Sequence, residues 1–310
     1  MDDQHPEPRA GIDFVGDVHG EAGRLRSLLN ELGYSEAPGG TSFAHPDRRT
    51  VVFLGDLINS GPHVREVVGI ARAMESRGNA VVLAGNHEID VLRFHSARGS
   101  AEAYLRGGEE WGASKFATTF QDYAGCPVEW EEVLRWMRGL HTWIAGARFR
   151  AVHACWDETA VERLTRWGRH RVGLFGHDDP GVIRLANGPK LSLPPSVGAF
   201  EINGRRRTRI RTRWYLDPKG LKVSEAAFPM KAQMPDLPKV PLPKDARDTF
   251  FPVREGDPPV FFGHYAWPQH ALPLAPNVAC LDLGVSHGGP LAAYRWDGEQ
   301  VLEEGRFVVV

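Results

Sequence analysis

Five short motifs, each placed just behind a run of strand-forming residues, constrain this chain more than any other feature. In order they are Gly16-Asp17-Val18-His19-Gly20, Gly55-Asp56, Gly85-Asn86-His87-Glu88, Val152-His153-Ala154 and Gly263-His264. They follow Ile12-Asp13-Phe14-Val15, Val51-Val52-Phe53-Leu54, Ala80-Val81-Val82-Leu83, Arg148-Phe149-Arg150-Ala151 and Val260-Phe261-Phe262. Strands that stop this way deliver their last side chains to one edge of a sheet, and in open α/β folds ligands bind at that edge. A single His or Asp after a strand is ordinarily a turn or core residue. Five such motifs in order, set among glycines, argue instead for a metal site. Asp17, His19, Asp56, Asn86, His153 and His264 make a mixed oxygen and nitrogen donor set, suited to two adjacent divalent transition metals.

The spacing between motifs predicts how the strands are connected. Leu25, Leu28, Leu29 and Leu32 mark one apolar helix face, which Gly33 ends. Val64, Val67, Val68, Ala71 and Met74 repeat the pattern after Pro62, up to Arg77-Gly78. Residues 11–90 thus read β-α-β-α-β, which calls for a parallel sheet covered by helices. Residues 91–140, with Tyr104, Trp111, Phe116, Phe120, Tyr123, Trp130 and Trp136, read as a helical, cap-like insertion or as a helical layer packed on the sheet. Strands are expected again at Trp143–Ala145 and Arg148–Val152, and a helix over Asp157–Trp167 with Asp157 as N-cap. From Lys190 to Trp214 the period becomes two, so Arg207, Arg209, Arg211 and Arg213 share one cationic strand face. Residues 229–259 hold eight prolines and read as an extended connector within a single domain of residues 1–310. Val260–Tyr265, Val278–Leu283, Leu291–Trp296 and Arg306–Val310 suggest antiparallel strands completing a second sheet, with Asp297-Gly298 as a hairpin turn.

Bulk properties exclude several classes. A formal charge of −2 gives no global attraction to nucleic acid or anionic membrane. Cys126, Cys155 and Cys280 are odd in number and widely spaced, against a disulfide framework and in keeping with a reducing cytosol. The acidic N-terminus lacks the apolar stretch of a signal peptide, and no apolar run approaches the roughly 20 residues that span a bilayer. A cytoplasmic location is expected; an oligomeric state is not specified.

The donors divide naturally. Asp17, His19 and Asp56 would hold a first ion; Asp56, Asn86, His153 and His264 a second, with the Asp56 carboxylate bridging. Two cations about 3.5–4 Å apart acidify a bridging water and clamp phosphoryl oxygens for in-line attack. His87, next to Asn86 on a turn, would point elsewhere and could protonate the leaving oxygen.

These motifs resemble, as a set, those of the calcineurin-like metallophosphoesterases, and within them the phosphoprotein-phosphatase branch that includes bacterial phosphatases and symmetrical diadenosine tetraphosphate hydrolases. The resemblance spans residues 16–264. It implies a four-layer α/β/β/α sandwich and a di-metal centre, usually Mn²⁺ with Fe or Zn as alternatives. It also implies hydrolysis of a phosphate ester or anhydride by a metal-bridging hydroxide, with the six residues above as ligands and His87 as acid. One departure stands out. The second motif of that family usually reads Gly-Asp-x-x-Asp-Arg-Gly, whereas here Asn59 and Ser60 stand where the second Asp and the Arg would be. Asn59 can accept a hydrogen bond from His87 but carries no charge, and Ser60 does not replace a bidentate phosphate clamp. Arg211 or Arg213 could compensate by reaching over the metals to substrate phosphate; the plain alternative is a solvated strand face.

The reading is therefore a phosphohydrolase acting on a nucleotide or other small phosphorylated metabolite. A serine/threonine protein phosphatase is the enzyme alternative, and a non-catalytic binding protein on a phosphatase scaffold the rival from another class. Nucleic-acid binding is disfavoured because no stacking aromatics interleave the arginines. Cys155 reads as a buried small hydrophobe, His177-Asp178-Asp179 as a turn, Asp282 and His287 as structural, and Glu88 as a residue holding its own loop.

Overall fold

The computed structural model describes residues 11–98, 110–166, 171–175, 178–194, 198–202, 205–228, 237, 239–267 and 270–310. Tyr104, the Trp111 side chain, His177, the N-terminal decapeptide and part of the proline-rich segment lie outside them. A first sheet has the strand order Phe307–Val309, Ala292–Trp296, Ile12–Val15, Thr50–Phe53, Ala80–Val82. Its last three strands run parallel, with Ile12 opposite Thr50 and Val51 opposite Ala80. Helices Ala22–Glu31 and Val64–Ser76 connect them, as the apolar periodicity requires, and bury Leu25, Leu28 and Leu29, and Val64, Val67, Val68, Ala71 and Met74.

The second sheet has the order Val278–Cys280, Val260–Phe262, Arg150–Val152, Trp143–Ala145. This sheet is not the antiparallel one expected from the sequence. Val260–Phe262 pairs in parallel with both Val278–Cys280 and Arg150–Val152. Ala292–Trp296 and Phe307–Val309 leave this sheet altogether and close the edge of the first one, antiparallel to Ile12–Val15 and to each other. The segment after Phe262 is long enough for a crossover, so nothing obliges a hairpin there. Asp297-Gly298 is likewise no two-residue turn, because the next strand begins only at Phe307 after a 3₁₀ turn at Glu304–Arg306.

Side-chain alternation explains how the two sheets meet. Ile12, Phe14, Val52 and Leu54 from the first share one apolar cluster with Ile144, Ala151, Phe261, Ala279 and Leu281 from the second. Phe14 stacks on Phe261 with ring centroids 3.9 Å apart. The intervening residues, such as Val15, Val51, Phe53, Val152, Val260 and Phe262, belong to a larger cluster that includes the apolar faces of the helices. This is a mixed α/β architecture. Helices Asn86–Arg98, Glu110–Tyr123 and Pro127–Arg138 contribute Leu92, Phe116, Tyr123 and Trp130 to the same cluster. Glu158–Arg166 forms the expected next helix, with Asp157 accepting from Ala160 N at 3.1 Å.

The expected cationic strand is not continuous. It breaks at Thr208 into Arg205–Arg207, paired with Phe200–Ile202, and Arg209–Arg211, paired with Lys190–Ser192. Leu191 and Ile210 turn inward to a small separate cluster with Val223, Ala246 and Phe250, and Leu237, Val240 and Leu242 of the proline-rich segment pack on it. Among the described residues no helix is long and apolar enough to cross a membrane.

Candidate metal centre

All five motifs arrive at the ends of parallel strands, and their donors form a closed ring of contacts. Asp17 Oδ2 lies 4.0 Å from His19 Nε2, which lies 3.8 Å from Asp56 Oδ2. Asp56 Oδ2 is 3.4 Å from His153 Nε2, and that nitrogen is 3.2 Å from Asn86 Oδ1. Asn86 Oδ1 lies 2.7 Å from His264 Nδ1, and His264 N donates back to Asp17 Oδ2 at 3.1 Å. All six residues are at most 8% exposed. Two donors bound to one ion at about 2.0–2.2 Å sit about 3–4 Å apart, so the spacing suits ions placed inside the ring. Asp56 is common to two compact groups, one with His19 and His87 and one with His153 and His264.

The ring nitrogens are prepared for ligation. His19 Nδ1 donates to Ile58 O at 3.0 Å and His153 Nδ1 to Leu54 O at 2.8 Å. With the outer nitrogen engaged, each Nε2 is turned toward Asp56 and would ligate a cation once its proton is lost; burial opposes a charge on His153, but Asp56 outweighs it and holds that imidazole up. His264 Nε2 is buried without a partner. The glycines are spatial requirements. A Cβ on Gly85 would collide with Asp56 Oδ1, and one on Gly263 with Asp17 Oδ1. His19, Asp56, Asn59 and His264 all have positive φ, at 47°, 51°, 70° and 71°. Non-glycine residues rarely adopt this conformation, at a cost of about 1–3 kcal/mol each, and such strain gathers at functional sites.

Glu88 holds the frame. Its carboxylate accepts from Gly85 N, Asp56 N, Leu57 N and Ile58 N at 2.9–3.3 Å, tying the second and third motifs into one loop pair. The buried carboxyls and imidazoles shift one another's protonation. Burial, then the charges of Asp282 and Asp56, push the Asp17 carboxyl well above its usual range. Burial acts the same way on Asp56, but His153, His87 and His19 outweigh it and hold that carboxyl low. Burial, Arg211 and His153 hold the His264 imidazole low, as a neutral ligand would be.

His87 stands beside the ring, its Nε2 3.9 Å from Asp56 Oδ2. Asn59 orients it, though not as the sequence suggested. Thr119 Oγ1 accepts from Asn59 N at 3.1 Å and donates to Asn59 Oδ1 at 2.6 Å. The amide oxygen is thereby engaged, and Asn59 Nδ2 donates to His87 Nδ1 at 2.7 Å. His87 Nδ1 is the acceptor, so its ring proton sits on Nε2, facing the site. Thr119 had no signal in the sequence; it comes from the Glu110–Tyr123 helix, 60 residues away.

The other candidates separate. Ser60 is exposed in the same loop, with φ 68°. Arg211 Nη1 donates to His264 O at 2.8 Å; burial holds its guanidinium below the usual range, against the opposing pull of Tyr265, Asp282, Asp56 and Asp17. Arg213 lies farther along, 5.5 Å over the Trp267 ring. Asp282 braces the fifth motif by accepting from Ala266 N and Gly284 N. Cys155 and Cys280 are buried thiols pushed up by that burial, unsuited to be nucleophiles. Asp179 caps the Pro180–Asn187 helix and pairs with Arg163.

Comparison with known proteins agrees with this geometry. Residues 11–178, more than half of the chain, match the family model described as calcineurin-like phosphoesterase. A symmetrical bis(5'-nucleosyl)-tetraphosphatase of Methylobacillus flagellatus is 26% identical over 295 residues, covering 93% of each chain. The asymmetrical bis(5'-nucleosyl)-tetraphosphatase PrpE of Halalkalibacterium halodurans is 38% identical over 87 residues, which span 28% of this chain and only 35% of that protein. A crystal structure of a cold-active protein tyrosine phosphatase superposes with a TM-score of 0.50 at 16% identity, over 97% of this chain and 78% of that one. At that identity the likeness concerns the fold alone.

Proposed function

Because the chain belongs to the calcineurin-like phosphoesterase family, we propose that it is a di-metal phosphohydrolase that cleaves a phosphoanhydride or phosphate ester of a nucleotide. A dinucleoside polyphosphate is the favoured substrate. The observation that carries the reading is the closed ring of six buried donors about Asp56. Asp17, His19 and Asp56 would hold one divalent ion, and Asp56, Asn86, His153 and His264 the other, with Mn²⁺ preferred and Fe or Zn as alternatives. Such a pair, when bound, acidifies water between the ions and offsets charge on the phosphoryl oxygens.

The remaining work falls to side chains around the ring. His87 presents its Nε2–H to the leaving oxygen, held in that tautomer by the Asn59 amide, and stabilises the charge developing there by a hydrogen bond while solvent supplies the proton. Thr119 fixes the amide, so the helices of residues 91–140 act as a wall of the site within one catalytic unit. Arg211 uses one guanidinium donor on His264 O and keeps others for a phosphoryl oxygen. Arg213 and the Ser60 hydroxyl bind farther out. Support for a nucleotide substrate comes from the full-length likeness to symmetrical bis(5'-nucleosyl)-tetraphosphatases, of both Methylobacillus flagellatus and Methylococcus capsulatus.

The test is a substrate panel with Mn²⁺: p-nitrophenyl phosphate, its bis-ester and diadenosine tetraphosphate. Turnover of the dinucleotide above the two chromogenic esters is expected. Bound metal without turnover of any of them would instead mark a binding protein, and preference for a phosphoserine peptide a protein phosphatase.

A further inference from the structure

Beside the donor ring runs a row of cations on which carboxylates act only without direct pairing, Asp282, Asp56 and Asp17 on Arg211 and Asp90 on Lys190. Arg211 is the cross-strand partner of Lys190, and Arg209 of Ser192. Directly opposed residues project from one face, while Leu191 and Ile210 turn away into the small apolar cluster. Lys190, Arg209 and Arg211 therefore share the opposite face, and Lys190, Arg207 and Arg209 are exposed. Burial of its stem, then the charges of Arg211, Arg209 and Arg207, hold the Lys190 amine below its usual range. Among the described residues none of these four cations makes an ion pair; Arg209 and Arg211 donate only to the backbone oxygens of Lys190 and His264.

Like charges set opposite one another destabilise a sheet, so the row needs a counter-charge. Its inner end touches the fifth motif through Arg211 and His264 O. From there the step to Arg209 on the same strand is about 7 Å, a distance that a run of several contiguous phosphates crosses, and Arg207 follows past the break at Thr208, its charge reaching Lys190. The geometry points to a polyphosphate track: with the scissile phosphoryl group at the donor ring, Lys190, Arg209 and Arg207 bind the phosphates beyond it. The substrate class is a nucleotide bearing three or more contiguous phosphates. This rests on the phosphohydrolase reading above. The same cations would suit a nucleic-acid backbone less well, because their neighbours Thr208, Ile210 and Thr212 offer no base-stacking ring.

The test compares the full chain with its Lys190→Ala, Arg207→Ala, Arg209→Ala triple variant, by calorimetry with inorganic tripolyphosphate and with orthophosphate in the presence of Mn²⁺. The variant is expected to bind tripolyphosphate about tenfold or more weakly, losing charge-assisted contacts, and to bind orthophosphate as before. In turnover, KM for diadenosine tetraphosphate rises while kcat/KM for p-nitrophenyl phosphate holds. Unchanged tripolyphosphate affinity overturns the track, as does tighter binding of a single-stranded oligonucleotide than of tripolyphosphate. If the unmodified chain hydrolyses neither substrate, the phosphohydrolase reading fails on its own, and calorimetry still decides the track.

Discussion

His87 carries the most specific proposed assignment, because its hydrogen bond to the leaving oxygen depends on where one proton sits. Thr119 fixes the Asn59 amide, the amide donates to His87 Nδ1, and the proton is left on Nε2. His87→Ala should therefore lower kcat by about 100- to 1,000-fold on a substrate with a basic leaving group. On p-nitrophenyl phosphate, whose leaving group needs little protonation, the loss should be far smaller. Equal losses on phenyl and p-nitrophenyl phosphate in steady-state assays would remove the leaving-group role. Gly85 makes a second, purely spatial demand, since a methyl group there meets Asp56 Oδ1. Gly85→Ala should weaken metal binding by about 10- to 100-fold, read as Mn²⁺ per chain after dialysis; full retention of metal would mean that Asp56 can shift without consequence. That these six candidate donors would converge was legible in the sequence, because each sits in a short motif beside its own strand. Thr119 and the donor role of Asn59 were not, because they arise from a contact across 60 residues.

Secondary elements show the same division between local and distant information. Helices Ala22–Glu31 and Val64–Ser76 and the parallel strands between them could be read from apolar period and glycine stops. The C-terminal strands could not, since Ala292–Trp296 and Phe262 have the same apolar character and only pairing partners decide their sheet. The aromatic helices that flank the site contain a pH-sensitive joint. Trp130 Nε1 of Pro127–Arg138 donates to His95 Nε2 of Asn86–Arg98 at 3.1 Å, which requires a neutral imidazole. Burial, with Arg138 adding to it, pulls the His95 pKa down to about 4. The unfolded chain, with a pKa near 6.5, binds the extra proton between those two values. Stability from this group is therefore present above about pH 6.5 and is lost as pH falls toward 4. His95→Gln keeps an acceptor but cannot titrate, so its urea midpoint should fall less between pH 7 and pH 5 than that of the unmodified chain. Parallel declines in equilibrium unfolding would show that His95 contributes nothing to the acid limb.

Taken as one body, the molecule secures its chemistry by anchoring the first strand at both ends. Asp17 leaves one end of Ile12–Val15 for the donor ring, while Asp13, fully buried, faces a polar cluster near the other. Arg49 grips the Asp13 carboxylate with Nε and Nη2, each at 3.0 Å, Tyr34 donates at 2.8 Å and Arg295 at 3.1 Å. Arg49 also pairs with Asp297, and Asp297 with Arg306. The cluster joins the segment after the first helix, the approach to the second parallel strand and the two C-terminal strands that close the sheet edge. No hydrophobic pattern announces it, since its members are scattered from residue 13 to residue 306. Removing one partner of a buried ion cluster strands the others, at about 3–5 kcal/mol. Asp13→Asn keeps the volume and removes the charge that two arginines share. Its Tm should fall by roughly 6–20 °C, at about 2–4 °C per kcal/mol for a chain of this order of size. Because the donor ring is untouched, kcat/KM measured well below that Tm should stay within about twofold, a shift of less than 0.5 kcal/mol in transition-state binding. An unaltered Tm by scanning calorimetry would show that the cluster is not what locks the C-terminal strands to the first, and a large fall in kcat/KM at low temperature would mean that strain at Asp13 is transmitted along the strand to Asp17.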